Sequence, residues 1–188
     1  MNVTNGTMLG TYRVERLVGK GSMGAVYVAE DVRLRRPVAL KILGPELVES
    51  ERFRERFLLE SQLAASLEHP NIVPIYAAGE QDGALYLAMR FVEGMDLREL
   101  IRARHHLEPR RALAILSQVG GALDAAHAVG LVHRDVKPAN VIVAPGPPEH
   151  AYLCDFGLAK HASSVDSLSG ERSFVGTISY IAPEQIEG

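Results

Sequence analysis

The periodicity of this chain changes once, near Val92-Glu93-Gly94, and that change constrains the fold more than any other feature. Before it, apolar residues alternate or come in short blocks, as in strands; after it they recur at helical spacing. Residues 11–43 read as strands. Leu17-Val18 leads into a Gly-rich turn, Val26 and Val28 alternate with Tyr27 and Ala29, and Val38 to Leu43 is a second apolar run after the charged turn Arg33 to Arg36. Ser50 starts a helix, with Glu51 in its first turn and His69-Pro70 at its end. Ile72 to Ala78 and Ala84 to Phe91 read as strands, with Gln81-Asp82-Gly83 as the hairpin turn. Beyond the switch, Asp96 caps a short helix reaching Ala103. Pro109 opens a longer helix, which runs to Val129 and is stopped by Gly130. Val141 to Val143 and Tyr152 to Cys154 are short strands joined by Pro145-Gly146-Pro147-Pro148, and after Gly157 the chain is Ser-rich and irregular up to Phe174.

On the first helix Phe53, Phe57, Ala64 and Leu67 fall on one face. Glu60 stands seven residues after Phe53 and shares that face. An acid centred on an apolar stripe needs a partner or carries a desolvation penalty.

Bulk properties remove several function classes. The chain has 188 residues, enough for one domain with a real core or for two small lobes. A formal net charge of -3 argues against a nucleic-acid footprint, which is basic. Cys154 is the only cysteine, so no intrachain disulfide forms and a reducing, cytosolic setting is the simplest reading. The stretch from Met1 to Gly10 is polar, with no signal core, and no apolar run approaches a membrane span. Without a secretion signal, the sequons at Asn2 and Asn5 read as chance matches.

Two groups of residues carry chemistry. Gly19-Lys20-Gly21-Ser22-Met23-Gly24-Ala25-Val26 fits G-x-G-x-x-G-x-V, in which glycines let backbone amides approach phosphate without a Cβ in the way. Alone, the glycine pattern reads as a hairpin turn. A dinucleotide fold would need a helix next, whereas Ala25-Val26-Tyr27-Val28 has strand character; the Walker A spacing is absent. His133-Arg134-Asp135-Val136-Lys137-Pro138-Ala139-Asn140 packs a carboxylate, an ammonium and a carboxamide into eight positions, and Asp155-Phe156-Gly157 adds a second acid. A proton acceptor, a cation and hard oxygen ligands are what phosphoryl transfer requires. All four lysines, Lys20, Lys41, Lys137 and Lys160, lie in or beside these motifs, while the other basic positions are Arg.

In this order the motifs resemble those of protein kinases, most closely the bacterial eukaryotic-like Ser/Thr kinases, over about Leu9 to the end. The resemblance implies an α+β, two-lobed protein-kinase-like fold. Its N-lobe, residues 9–92, is an antiparallel sheet plus one helix; residues 93–188 form an incomplete helical C-lobe with the catalytic loop and activation segment. Val38-Ala39-Leu40-Lys41 resembles the V-A-I-K strand, so Lys41 would bind the α and β phosphates of ATP, with Glu60 as its natural carboxylate partner. Asp135 would be the base, Lys137 would neutralise the transferring group, and Asn140 and Asp155 would hold Mg2+. The loop Gly19, Lys20, Gly21, Ser22, Met23, Gly24 would cover the phosphates. Val26, Ala39 and Ile142 would enclose adenine, Met89 would be the gatekeeper, and Phe91 and Val92 would offer hinge hydrogen bonds. Arg90 departs from the Glu common at the first hinge position. Within the family His133 is a packed framework residue.

Lys137 narrows the acceptor to Ser or Thr, and Thr177 and Ala182-Pro183-Glu184 match the substrate-positioning loop and A-P-E motif. Arg134 before the catalytic Asp implies control by activation-loop phosphorylation. Ser163, Ser164, Ser167, Ser169 and Ser173 are the available hydroxyls, and Ser169 and Ser173 are favoured. The chain ends four residues after Glu184, at Gly188, which leads to the expectation of a truncated catalytic domain. Part of the apolar face formed by Leu113, Leu116, Val119 and Leu123 is then expected to be exposed. The partners implied are protein substrates with Ser/Thr hydroxyls, and a homodimer through the N-lobe. No nucleic acid and no membrane segment are implied, and the location is cytoplasmic, with any anchor beyond the C-terminus. The alternative is a nucleotide-binding pseudokinase, scaffold or inactive fragment.

Overall fold

β-branched and aromatic residues at alternate positions drive residues 8–43 and 75–90 into a sheet. The computed structural model describes residues 3–21, 23–48 and 50–156, together with Tyr180 and Pro183. Two compact units result, residues 3–66 with 74–91, and residues 67–73 with 92–156.

In the first unit the described strands are β1 (Met8–Leu9), β2 (Tyr12–Gly21), β3 (Gly24–Asp31), β4 (Arg36–Leu43), β5 (Ile75–Gln81) and β6 (Ala84–Arg90). They form one antiparallel sheet in the order β1-β2-β3-β4-β6-β5. Tyr27 and Ala29 of β3 and Val38, Leu40 and Ile42 of β4 join Leu9, Tyr12 and Val14 in a buried cluster on one face. The alternate residues Val26, Ala39, Lys41 and Met89 therefore lie on the other face; the register pairs Val26 with Lys41 and Ala39 with Met89. Asp82 and Gly83 at φ 51° and 73° make the β5–β6 turn, the left-handed pair that a two-residue hairpin prefers. At the β3–β4 turn the buried Asp31 accepts hydrogen bonds from the amides of Arg33 and Leu34 at 3.1 and 3.2 Å.

After the single turn α1 (Pro45–Val48), the main helix of this unit is α2 (Glu51–Ala65). Ser50 caps it by accepting from the Phe53 amide at 3.3 Å. Phe53, Phe57, Ser61 and Ala64 are buried, with Glu60 half-buried among them, and the helix packs against β5. Fully burying a side chain such as Phe57 contributes about 1.5–3 kcal/mol. α2 stops at Ala65, short of the expected His69-Pro70, because Ser66 caps it: its hydroxyl donates to the Leu63 carbonyl at 2.7 Å. Leu67 consequently belongs to the second unit.

The second unit has α3 (Leu97–Arg104), α4 (Pro109–Ala128) and a small sheet β7-β8-β9, made of Met95–Asp96, Val141–Ala144 and His150–Leu153. Asp96 caps α3 through the Glu99 amide at 2.8 Å; Glu108 caps α4 through the Arg111 amide at 3.0 Å. The expected strand from Ile72 begins at Ile75 instead. Pro74 lacks an amide proton, and Asn71 to Val73 pair with β9, the Leu153 amide donating to Asn71 at 2.7 Å and the Val73 amide to Leu153 at 2.9 Å. Asn71 locks this segment in place: its Nδ2 donates to Gln118 Oε1 and to the Ala151 carbonyl, both at 2.9 Å. On α4 the buried stripe is Ile115, Val119, Ala122 and Ala126. Leu113 and Leu116 are exposed and Leu123 is half-buried, so of the face expected from sequence only Val119 is core. Ile115 to Ala126 recurs at i, i+4, i+7 and i+11, the better helical stripe, and its small alanines let α4 sit close to β9.

Candidate functional site

In the first unit the glycine loop joins β2 to β3. Gly24 has φ 135°, and a Cβ there would stand 2.0 Å from the Ile42 carbonyl oxygen, so the fold itself demands glycine. Gly19 and Gly21 differ: a Cβ on either would meet nothing within 4 Å. Packing does not explain their missing side chains. Val26, Ala39, Lys41 and Met89 share the sheet face opposite the outer cluster. Lys41 and Glu60 are both half-buried, and neither is without a partner. Lys20 is exposed, Met23 and Phe91 are half-buried and Met89 is buried; Ser22 lies outside the described residues. Sequence reasoning passed over Val18, an apolar side chain 55% exposed next to Gly19.

In the second unit the segment Lys137-Pro138-Ala139-Asn140 folds back on itself. Pro138 suits the first turn, Pro138–Asn140 forms a 3-10 turn, and the Asn140 amide donates to the Lys137 carbonyl at 2.9 Å. This brings three side chains together. Lys137 Nζ lies 2.8 Å from Asp135 Oδ2, and Asn140 Nδ2 donates to Asp135 Oδ2 at 3.1 Å and to its backbone carbonyl at 2.8 Å. The Asp135 and Lys137 side chains are only 15% and 19% exposed, so their attraction is weakly screened.

Asp155 is tied to the same group through its neighbour. The Cys154 amide and thiol both donate to the Asn140 carbonyl, at 3.0 and 3.3 Å. Asp155 follows in a left-handed conformation, φ 58°. Ile142 is half-buried on β8, opposite Asp96 and Tyr152, and Val92 is half-buried. His133 is fully buried, its ring 4.7 Å from that of Phe156. Its Nδ1 accepts the Asp135 amide proton at 3.2 Å, so Nε2 carries the ring proton and donates to the Cys154 carbonyl at 3.0 Å. Burial pushes its pKa below 6.5, outweighing the Cys154 carbonyl and the Asp135 and Asp155 carboxylates, which pull it up.

A divalent cation fits this donor set. Asn140 spends its amide hydrogens on Asp135, which leaves its side-chain carbonyl oxygen available; that oxygen and the Asp155 carboxylate are the hard oxygen type that Mg2+ takes. Among the described residues no three His, Cys, Asp or Glu side chains gather as a protein-only cage. Gly157, Lys160, the serines from Ser163 to Ser173, Thr177, Ala182 and Glu184 lie outside the described residues.

Known proteins share these features. The family model for the protein kinase domain matches residues 12–188. Serine/threonine-protein kinase PknE of Mycobacterium bovis is 47% identical over 180 residues, covering 96% of this chain and 31% of that protein. Serine/threonine-protein kinase PknD of Mycobacterium tuberculosis is 45% identical over 183 residues, 97% of this chain and 27% of that protein. The chain thus spans less than a third of either curated relative. The crystal structure of the Mycobacterium tuberculosis PknI kinase domain superposes with a TM-score of 0.76 at 38% identity, covering 85% of this chain and 64% of that one. Rad53 residues 1-466 in complex with AMP-PNP gives 0.77 at 28% identity, with 94% and 43% coverage.

Proposed function

This chain belongs to the protein kinase domain family, and we propose that it is the nucleotide-binding and catalytic part of an ATP-dependent protein serine/threonine kinase. Residues 9–92 act as the nucleotide-holding lobe and 93–188 as the part that carries the catalytic loop and activation segment. One observation carries the reading: Asp135 Oδ2 receives both Lys137 Nζ and Asn140 Nδ2, so a base, a phosphate-seeking cation and a metal ligand share one atom's surroundings.

In the proposed reaction the acceptor hydroxyl donates its proton to Asp135 as its oxygen bonds to the γ-phosphorus. The bond from that phosphorus to the bridging oxygen breaks, and ADP leaves. Lys137 moves from Asp135 toward the transferring group and offsets its charge. Lys41, held by Glu60, grips the α and β phosphates, and the amides of Gly19 to Gly24 cover them. Asn140 and Asp155 would hold Mg2+, which would supply positive charge to offset that of the phosphates. On the first unit, Val26 and Ala39 are the adenine-facing residues, Met89 is the gatekeeper and Phe91 offers a hinge hydrogen bond; on the second, Ile142 and Val92 are assigned to the same ligand.

Activity rises when a hydroxyl in 160–175, Ser169 or Ser173 first, is phosphorylated and pairs with Arg134. The substrates are proteins, the setting is cytoplasmic, and two copies associate through residues 9–92. No helix among the described residues is long and apolar enough to cross a membrane.

Incubating the chain with MgATP and a generic basic protein, then hydrolysing for phosphoamino acids, tests the reading. Phosphoserine and phosphothreonine are expected. Phosphotyrosine alone would overturn the acceptor assignment; MgATP binding without transfer would make the chain a nucleotide-binding scaffold instead.

A further inference from the structure

The chain as a whole is acidic, with a formal net charge of -3, yet one corner of the second unit is strongly basic. Residues 98–111 hold five arginines (Arg98, Arg102, Arg104, Arg110, Arg111) against Glu99 and Glu108, a formal +3 from 5 − 2, with His105 and His106 between them. Arg111 is spent on a paired contact with Glu149 at 2.7 Å, and Arg98 lies 3.6 Å from Asp96. Arg102, Arg104 and Arg110 are exposed, and no acid lies within ion-pair distance of them among the described residues.

Two of these positions run against local preference. Arg110 sits in the first turn of α4, which has no acidic residue of its own and where the helix dipole already presents positive charge. His105 ends α3 at φ 63°, a conformation in which glycine or asparagine would be unstrained. Arg110 adds positive charge to the segment that His105 opens.

We propose that the α3–α4 corner, centred on Arg102, Arg104 and Arg110, is a docking surface for an acidic, carboxylate-rich segment of a partner protein. Arginine forks match carboxylates two oxygens at a time. The Glu108 carboxylate occupies the α4 N-terminus and repels a compact dianion such as phosphate there, whereas single charges spaced along a peptide reach each arginine separately. No Phe, Tyr or Trp occurs in 98–111 to stack on bases or anchor in a bilayer interface. The surface uses none of the residues assigned to phosphoryl transfer and stands whether or not transfer occurs.

The test is fluorescence anisotropy of a labelled oligoglutamate peptide titrated with the full chain. The charge-reversed variant Arg102→Glu/Arg104→Glu/Arg110→Glu is expected to lose at least about tenfold in affinity, with its unfolding temperature unchanged or raised. A second variant, Arg33→Glu/Arg35→Glu, reverses exposed charges on the β3–β4 turn and is expected to bind like the parent. Equal weakening by both variants would reduce the effect to diffuse charge and overturn the proposal. Unchanged binding by the first variant would do the same. Tighter binding to phosphatidylserine vesicles or to a single-stranded oligonucleotide than to the peptide would reassign the surface.

Discussion

His133 and Asp135 are joined across the left-handed residue Arg134, φ 60°: the Asp135 amide donates to His133 Nδ1 at 3.2 Å. A protonated ring would set a second N–H against that amide and break the contact. In the unfolded chain the ring takes a proton near pH 6.5; in the fold, burial lowers that value. As pH falls through 6.5 the unfolded state binds more protons, so stability drops, whereas above 6.5 both states are neutral and the contribution is constant. His133→Phe is expected to unfold at lower temperature at neutral pH, but with a flatter pH dependence below 6.5. Parallel melting curves against pH for the two proteins would count against this account.

Ser61 offers a gain in stability. Its hydroxyl is fully buried on α2 and has no hydrogen-bond partner among the described residues. A buried hydroxyl without a partner costs roughly 1–3 kcal/mol, and alanine is the better helix former. Ser61→Ala should raise stability by about 1 kcal/mol, read as a higher urea midpoint with the same m-value. A lower midpoint would mean that the hydroxyl is satisfied in solution.

The glycines of the loop should separate into two kinds. Gly24→Ala places a methyl group on the Ile42 carbonyl and is expected to cost about 2 kcal/mol or more in stability. Gly19→Ala and Gly21→Ala meet open space, so their stability should change by less than about 0.5 kcal/mol. Their MgATP affinity should nonetheless fall by about tenfold, a loss near 1.4 kcal/mol. Calorimetric titration alongside thermal melts distinguishes the classes; unaltered nucleotide binding in both strand variants would remove the phosphate-loop role.

Asn71 holds residues 67–73 to the second unit. Asn71→Asp turns a donor into an acceptor facing Gln118 Oε1 and the Ala151 carbonyl. With Asn71 buried, the expected cost is about 2–4 kcal/mol, measurable by denaturant unfolding.

Much of this was legible in the residues. Glu60 betrayed itself as an acid on an apolar stripe, and Gly19 to Gly24, Asp96 and Pro109 announced a turn and two helix starts through local chemistry alone. What escaped depended on distant partners. Ser66 and Pro74 decided where α2 ends and β5 begins, because Asn71 to Val73 pair with β9, some eighty residues away in the chain. β7 is two residues long and exists only because Met95 and Asp96 face Val143 and Ile142. The contact between Lys137 and Asp135 was implicit in their spacing only once a 3-10 turn followed Lys137.

The most direct measurement is transfer of the labelled γ-phosphate of MgATP to a generic basic protein by this chain and by its Asp135→Asn variant. The account predicts transfer by the parent and a loss of at least about a hundredfold in the variant, the scale of a general base, with MgATP binding retained. Equal transfer by the two proteins would contradict it.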